Sequence, residues 1–262
     1  MYLALARAGF RRHATYRIAT VAGATTNITF GFLRYYTLLA VAASAGGSIA
    51  GYDGAKIATF VFCSQGILAV VALWGDIGER AERIRNGDVV VDLLRPVDPL
   101  RHQFATDVGR AVYHLLTRFT LPVAAGLLFF RMYLPADPAT YPLFAVSLCL
   151  AVTVCFGCRF IVTCSAYWLL DVRGPMVLWL LLSGAASGLY FPLWLVPEPW
   201  STVLVYGLPF ASMVQAPMDI LVERTDHPYL MVATQAFWAV VVLSVGRAVH
   251  RRAERKLVVQ GG

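Results

Sequence analysis

Of the 262 residues, 58% are apolar and only 14% charged, against roughly 25% charge in a soluble domain, so the chain is read as an integral membrane protein with little material left for a water-soluble domain. The mean hydropathy of +0.64 agrees. The net charge of +7 does not point to nucleic acid, because the basic residues collect where apolar runs end, the position at which positive charge sets membrane orientation.

In chain order, residues 1–17 set Leu3, Leu5 and Phe10 against Arg7, Arg11, Arg12 and Arg17, the pattern of a short helix lying in the interface. No removable signal peptide is expected, since the apolar run that follows is span-length and lacks a cleavage site. Six spans are expected, over 18–45, 55–74, 111–134, 142–170, 175–195 and 229–249, each long enough to cross about 30 Å as a helix. Residues 200–222 are apolar too, but Pro209 and Pro217 interrupt them, and each internal proline removes a backbone hydrogen bond that lipid cannot replace. Parity decides the count. With six spans, Arg7, Arg11, Arg12, Arg17, Arg173, Arg247, Arg251, Arg252, Arg255, Lys256 and the six arginines between 75 and 110 share one side, sixteen in all, against Lys56, Arg131 and Arg224 on the other. Both termini are therefore expected in the cytoplasm of a multi-pass plasma-membrane protein, with 200–222 as broken helices dipping into the outer face.

Between Gly75 and Arg110 lies a polar island of seven acids and six arginines. Placing thirteen such charges in hydrocarbon at roughly 3 kcal/mol each would cost on the order of 40 kcal/mol, so the island is expected in water. Asp76 to Arg85 can prolong the second span as a helix, with Glu79 and Arg83 one turn apart, and Gly87 stops it. Residues 89–94 then present an apolar surface, Pro96 and Pro99 cut a rigid turn, and Asp98 caps a short helix beginning at Pro99. A rigid apolar knob rimmed by charge suits a helix-in-groove contact with a partner; the alternative is a solvated loop packed on its own span ends.

Catalytic signatures are absent. The five histidines make no helical metal pair, and neither HExxH nor GxSxG occurs. Cys155 and Cys158 have the spacing of a redox or metal pair but no second pair, so all five cysteines (Cys63, Cys149, Cys155, Cys158, Cys164) are read as small fillers of apolar helices. Lys56 and Lys256 are followed by Ile57 and Leu257, which excludes a P-loop and places any ATP on another subunit. No acid is expected well inside a span, which disfavours a proton- or sodium-coupled carrier. Arg34, Arg118 and Arg159 do fall inside spans; Arg118 and Arg159 are expected to snorkel towards the inner headgroups and Arg34 to sit beside Tyr35 near an aromatic belt, either as anchors or as contacts for an anionic substrate or lipid.

Two segments together resemble ABC-2 type permeases, in particular the compact six-span branch that works beside a separate ATPase. One runs Trp74-Gly-Asp-Ile-Gly-Glu-Arg80, Ile84-Arg-Asn-Gly-Asp88 and Leu93-Leu-Arg-Pro-Val-Asp-Pro99. The other runs Ala166-Tyr-Trp-Leu-Leu-Asp171, Arg173-Gly-Pro175, Tyr190-Phe-Pro192, Leu208-Pro-Phe210 and Ala216-Pro217. The likeness covers about residues 15–250. It departs after Pro217, where Met-Asp-Ile-Leu-Val-Glu-Arg224 stands in place of a segment that often carries glycine. The resemblance implies an all-α exporter subunit divided into an interfacial helix (1–17), a transmembrane domain (18–250) with a coupling loop (75–110) and an outer re-entrant region (196–228), and a cytoplasmic tail (251–262). It implies two ATPase subunits, which hold ATP and Mg, and a second permease, identical or paralogous, met through the first and fifth spans. Coupling is then expected at Arg85, Gly87, Asp88, Asp92, Leu94, Arg95, Pro96 and Pro99, and an outer gate at Pro192, Pro209, Phe210 and Pro217. Arg34, Tyr35, Arg118 and Arg159 are candidate pathway residues, and Phe30, Phe32, Tyr35, Tyr36 and Trp179 either line a path that would suit an amphipathic or hydrophobic compound or serve as lipid-facing packing. A non-transporting membrane scaffold, and behind it a secondary carrier, remain the alternative readings.

Overall fold

The computed structural model describes residues 1–75, 77–88, 97–169 and 171–255, all of them helical, turn or loop apart from one isolated bridge between Ile49 and Tyr52. Helix α1 is Tyr2–Ala14, α2 Arg17–Ser44, α3 Gly54–Val71 and α4 Ile77–Arg85. Helix α5, Pro99–Phe129, is continuous but carries a π-turn at Leu115–Phe119. Then follow α6 (Thr140–Cys164), α7 (Arg173–Ala186), the short α8 (Trp200–Tyr206) and α9 (Gln215–Leu221), and α10 (Pro228–Glu254).

Four helices among the described residues are long and apolar enough to cross a membrane: 54–71, 99–129, 140–167 and 228–253. Helix α2 has the length, at 28 residues, but its threonines, Asn27 and Arg34 dilute its apolar character. The expected fifth span, 175–195, is helical only to Ala186, because Gly188 (φ +84°) turns the chain and Pro192 starts a 3-10 turn at Leu193–Leu195. Fourteen residues rise about 21 Å, short of a full crossing. Residues 200–222 form the expected broken helices, of seven, four and seven residues.

Helix α3 is the central post. Its described neighbours bury it on nearly all sides, including Ile57, Phe60, Val61, Phe62 and Ile67. One end of the bundle, here called the basic end, gathers α1, α4, the start of α5 and the end of α10. Arg12 grips Glu79 at 2.7 and 2.8 Å, Arg80 donates to Gln103 at 3.2 Å, and Arg247 reaches Asp98 at 3.4 Å. Glu79 is thereby tied across to α1 through Arg12. Gly87 (φ +79°) ends α4 as expected, and the Asp98 carboxylate accepts from the Arg101 amide at 2.9 Å, with Pro99 as first helical residue. That helix is long rather than short; it runs on into the membrane segment without a break.

Helix α1 does not merely lie in an interface. It crosses α5 at two glycines: a Cβ on Gly109 would stand 1.8 Å from the Ala6 carbonyl oxygen, and one on Gly9 would stand 2.1 Å from that of Thr106. Only hydrogen at both positions allows the backbones to touch. Gly109→Val is therefore expected to destabilise the detergent-solubilised protein by roughly 1–3 kcal/mol and to make α1 protease-sensitive; an unchanged melt and cleavage pattern would contradict this crossing.

Candidate functional site

Helix α3 ends where the island begins, and its last carbonyls point at side chains from three other helices. Arg110 on α5 donates to the oxygens of Ala69 and Val70, both at 2.8 Å. Arg159 on α6 approaches that of Val71 at 3.5 Å, and the Trp179 indole on α7 donates to that of Leu73 at 2.7 Å. Ala72, left-handed at φ +52°, turns the chain out of the helix and leaves these carbonyls open. A helix C-terminus carries partial negative charge, so two guanidinium groups suit it.

One acid balances them. Asp107, 1% exposed, accepts from Arg110 Nε at 2.9 Å and from Arg159 Nη2 at 3.0 and 2.9 Å. Arg110 and Arg159 are 3% and 1% exposed. Two members of the island expected in water, Asp107 and Arg110, are thus buried, and Arg159 does not snorkel; the three neutralise one another and satisfy α3, which makes their burial tolerable. Asp107 is buried on α5, which is long and apolar enough to cross a membrane and begins before the expected third span at 111–134. Asp107 and Arg110 stand at i, i+3 and share a helix face, but Asp98 and Arg101 have the same spacing, so the pattern alone does not mark the buried pair.

A second cage closes the opposite end around Asp219, which is fully buried on α9. Its carboxylate accepts from the Tyr52 hydroxyl, from Gln215 at 2.9 Å and from the Trp194 indole at 2.6 Å. The Arg224 guanidinium lies 4.2 Å over Trp194 and 5.6 Å over Tyr52, and donates to the Ala50 oxygen at 2.9 Å. Gln215 ties this cage to the turn after α7 through the Leu193 amide and the Ser187 oxygen. The unusual Met218-Asp219 step is therefore what organises this end. Beside it Glu223, in left-handed conformation at φ +48°, accepts from Tyr133, from Thr140 at 2.7 Å and from the amides of Ala136 and Asp137. Burial alone would raise this carboxyl; the donors from Tyr133, Thr140 and the two amides outweigh it and hold the group at about 2.

Trp179 connects the two regions. One edge bonds the end of α3; its ring lies 6.1 Å from that of Phe210, in the broken-helix segment. Sequence reasoning placed Trp179 among path-lining aromatics, but it is 6% exposed and acts as a bridge. The expected gate residues come together around this segment: Pro192 precedes the 3-10 turn at Leu193–Leu195, Pro209 precedes that at Phe210–Met213, and Pro217 is buried in α9.

The expected coupling residues divide. Arg85 and Asp88 are exposed at the end of α4, Gly87 terminates it and Pro99 opens α5. Asp92, Leu94, Arg95 and Pro96 lie outside the described residues. The three intraspan arginines are not gathered on one path. Arg34 donates to the Ser64 hydroxyl and the Tyr190 oxygen, with Tyr35 stacked at 4.2 Å on Phe130 nearby. Arg118 projects from the π-turn against Gly23 of α2, and Arg159 belongs to the clamp. Among the described residues no group of three His, Cys, Asp or Glu side chains could hold a metal ion.

A family model described as ABC-2 family transporter protein matches residues 30–261. No curated protein and no solved structure matches the chain.

Two outcomes test this geometry. Asp107→Ala leaves two buried guanidinium charges without a counter-ion and is expected to cost about 3–5 kcal/mol in thermal unfolding, part of which the double variant Asp107→Leu, Arg159→Met recovers. Glu223→Gln is expected to cost roughly 1–2 kcal/mol at neutral pH. Because the folded carboxyl titrates below its ordinary value, its contribution is complete above about 4.5 and fades as pH falls towards about 2, so the wild-type advantage should vanish over that window.

Proposed function

We propose, because the chain belongs to the ABC-2 transporter family, that it is the membrane-embedded permease subunit of an ATP-driven exporter that moves an amphipathic or hydrophobic compound out of the cell. In this reading α2 and α7 complete six membrane segments, both termini and the hairpin between α3 and α5 face the cytoplasm, and the protein resides in the plasma membrane. Two permeases, identical or paralogous, enclose the path. Two ATPase subunits dock below them, bind ATP and Mg, and carry out hydrolysis; this chain is not itself the enzyme. The division into 1–17, 18–250 with 75–110 and 196–228 as working segments, and 251–262 belongs to the same proposal.

The observation that carries it is the clamp. Only a few residues separate Val71, where α3 ends, from Ile77, where α4 begins, and across that junction three helices hold the end of α3. Helix α4 is itself keyed to the bundle, with Ala81 buried against Ala166 and Val172. A displacement of the hairpin by a closing ATPase dimer would therefore reach α5, α6 and α7 together. Trp179 would carry it to Phe210, and the broken helices around the Asp219 cage would open outward, since short helices rearrange at lower cost than intact ones. Large exposed apolar side chains on α2 (Ile18, Val21, Leu33) and α7 (Val177, Leu178, Leu181) supply a surface for the second permease and for lipid.

Asp107 and Asp219 are buried acids within the bundle, which favours the carrier alternative in part. Each is saturated by its own partners, however, and Asp107 is held between two arginines, so neither offers an open ion site. Mild detergent extraction should yield the chain with an ATPase subunit, and the assembly should hydrolyse ATP in lipid. Replacing Leu94 and Arg95 by alanine is expected to leave hydrolysis measurable and to uncouple it from transport. Purification without an ATPase, or transport that runs on a proton gradient alone, would remove the exporter reading; a co-purifying ATPase with no transport would favour the scaffold.

A further inference from the structure

At the basic end a cavity of about 430 Å³ opens between the start of α2, the end of α3 and the middle of α5. Tyr16 and Trp74, both exposed, stand on its wall, as interfacial aromatics do at headgroup level. His13, His114, Arg110 and Arg118 line it, and among the described lining residues there is no carboxylate. The charge of Arg110 is already met by Asp107. That of Arg118 is not: it forms no ion pair with the described residues, and its Nε is buried without a hydrogen-bond partner. Gly23, against which the guanidinium rests, lies six residues into α2 from Arg17, about 9 Å along the helix. An arginine at that depth with no counter-ion is a standing cost, and such residues mark sites where charge is met by something else.

Local backbone details converge on this side chain. The π-turn Leu115–Phe119, a form that occurs mostly at functional positions, rotates Arg118 towards α2. A Cβ on Gly23 would stand 2.4 Å from Arg118 Nη2, and one on Gly66 would stand 2.6 Å from the Phe119 ring, so both neighbouring helices carry glycine where the turn needs room. We propose that this cavity receives an anionic headgroup, a phosphate or a carboxylate, on an amphiphile presented from the inner leaflet, with Arg118 as its counter-charge and Tyr16 and Trp74 at the mouth. This deepens the permease reading by naming the class of compound the path admits. Its binding test involves no ATPase, so either reading can fail without the other.

The purified chain is incubated in neutral detergent with equal amounts of phosphatidylglycerol and phosphatidylcholine, and the retained lipid is counted by native mass spectrometry. Phosphatidylglycerol is expected to be retained at least about fivefold over phosphatidylcholine. Arg118→Gln should abolish that preference without unfolding the chain, since Arg118 makes no hydrogen bond or ion pair with the described residues. Arg118→Lys should keep at least half of it, and Arg252→Gln, on the exposed end of α10, should keep all of it. Displacement of the bound lipid by dodecyl phosphate alone assigns an amphiphile-borne anion, whereas displacement by inorganic phosphate as well assigns a site for the free anion too; both support the anion site. Equal retention of the two lipids, loss in Arg118→Lys as complete as in Arg118→Gln, or equal loss in Arg252→Gln overturns the proposal.

Discussion

Everything at the basic end depends on how the C-terminus of α3 is finished. A helix that stops inside a bundle leaves carbonyls without donors, and here the donors come from α5, α6 and α7 at once. The two guanidinium groups could not occupy that place without a counter-ion, and Asp107 supplies it. A buried ion cluster of this kind adds little stability over a well-packed apolar substitute; its distinctive effect is directional, because charge and hydrogen-bond geometry permit one register among the helices. Three helices are thereby fixed to the end of α3 at the junction next to the island.

The opposite end is solved by other means. No helix of 200–222 is long enough to satisfy its own termini, so the short pieces are held by side chains: Gln215 and Asp219 from within, Tyr52 and Trp194 from neighbouring segments, Arg224 stacked across both rings. Glu223 does the same for the loop before α6. Apolar packing adds to these bonds, since Ala211, Met213, Val214, Met218, Ile220 and Val222 are all buried in the core. One indole, that of Trp179, reaches between the two ends.

Composition and periodicity revealed the membrane class, the long apolar helices, the broken segment at 200–222, the Gly87 stop and the Asp98 cap, because each follows from local chemistry: apolar runs, proline, positive φ, and a carboxylate before a helix. The resemblance in the island and in the Leu208-Pro-Phe210 region identified the family that the match over 230-odd residues bears out. Spans were legible where the run was unbroken and misjudged at the fifth, where apolar composition continues past Ala186 although the helix does not.

Which charges are wet and which are buried was settled only by the tertiary structure. Asp107, Arg110 and Arg159 look from the chain like two island residues and one stray arginine, separated by up to 52 positions, and nothing local distinguishes them from Asp98 or Arg101. Only packing brings α5 and α6 against the end of α3, and only then do opposite charges and open carbonyls cancel one another's cost of burial. The same holds for Arg118, whose side chain differs from Arg34 in nothing but its surroundings. Hydrophobic content is a sum over residues and can be read from a string; the price of a buried charge depends on who stands within 3 Å of it, and that is a property of the fold.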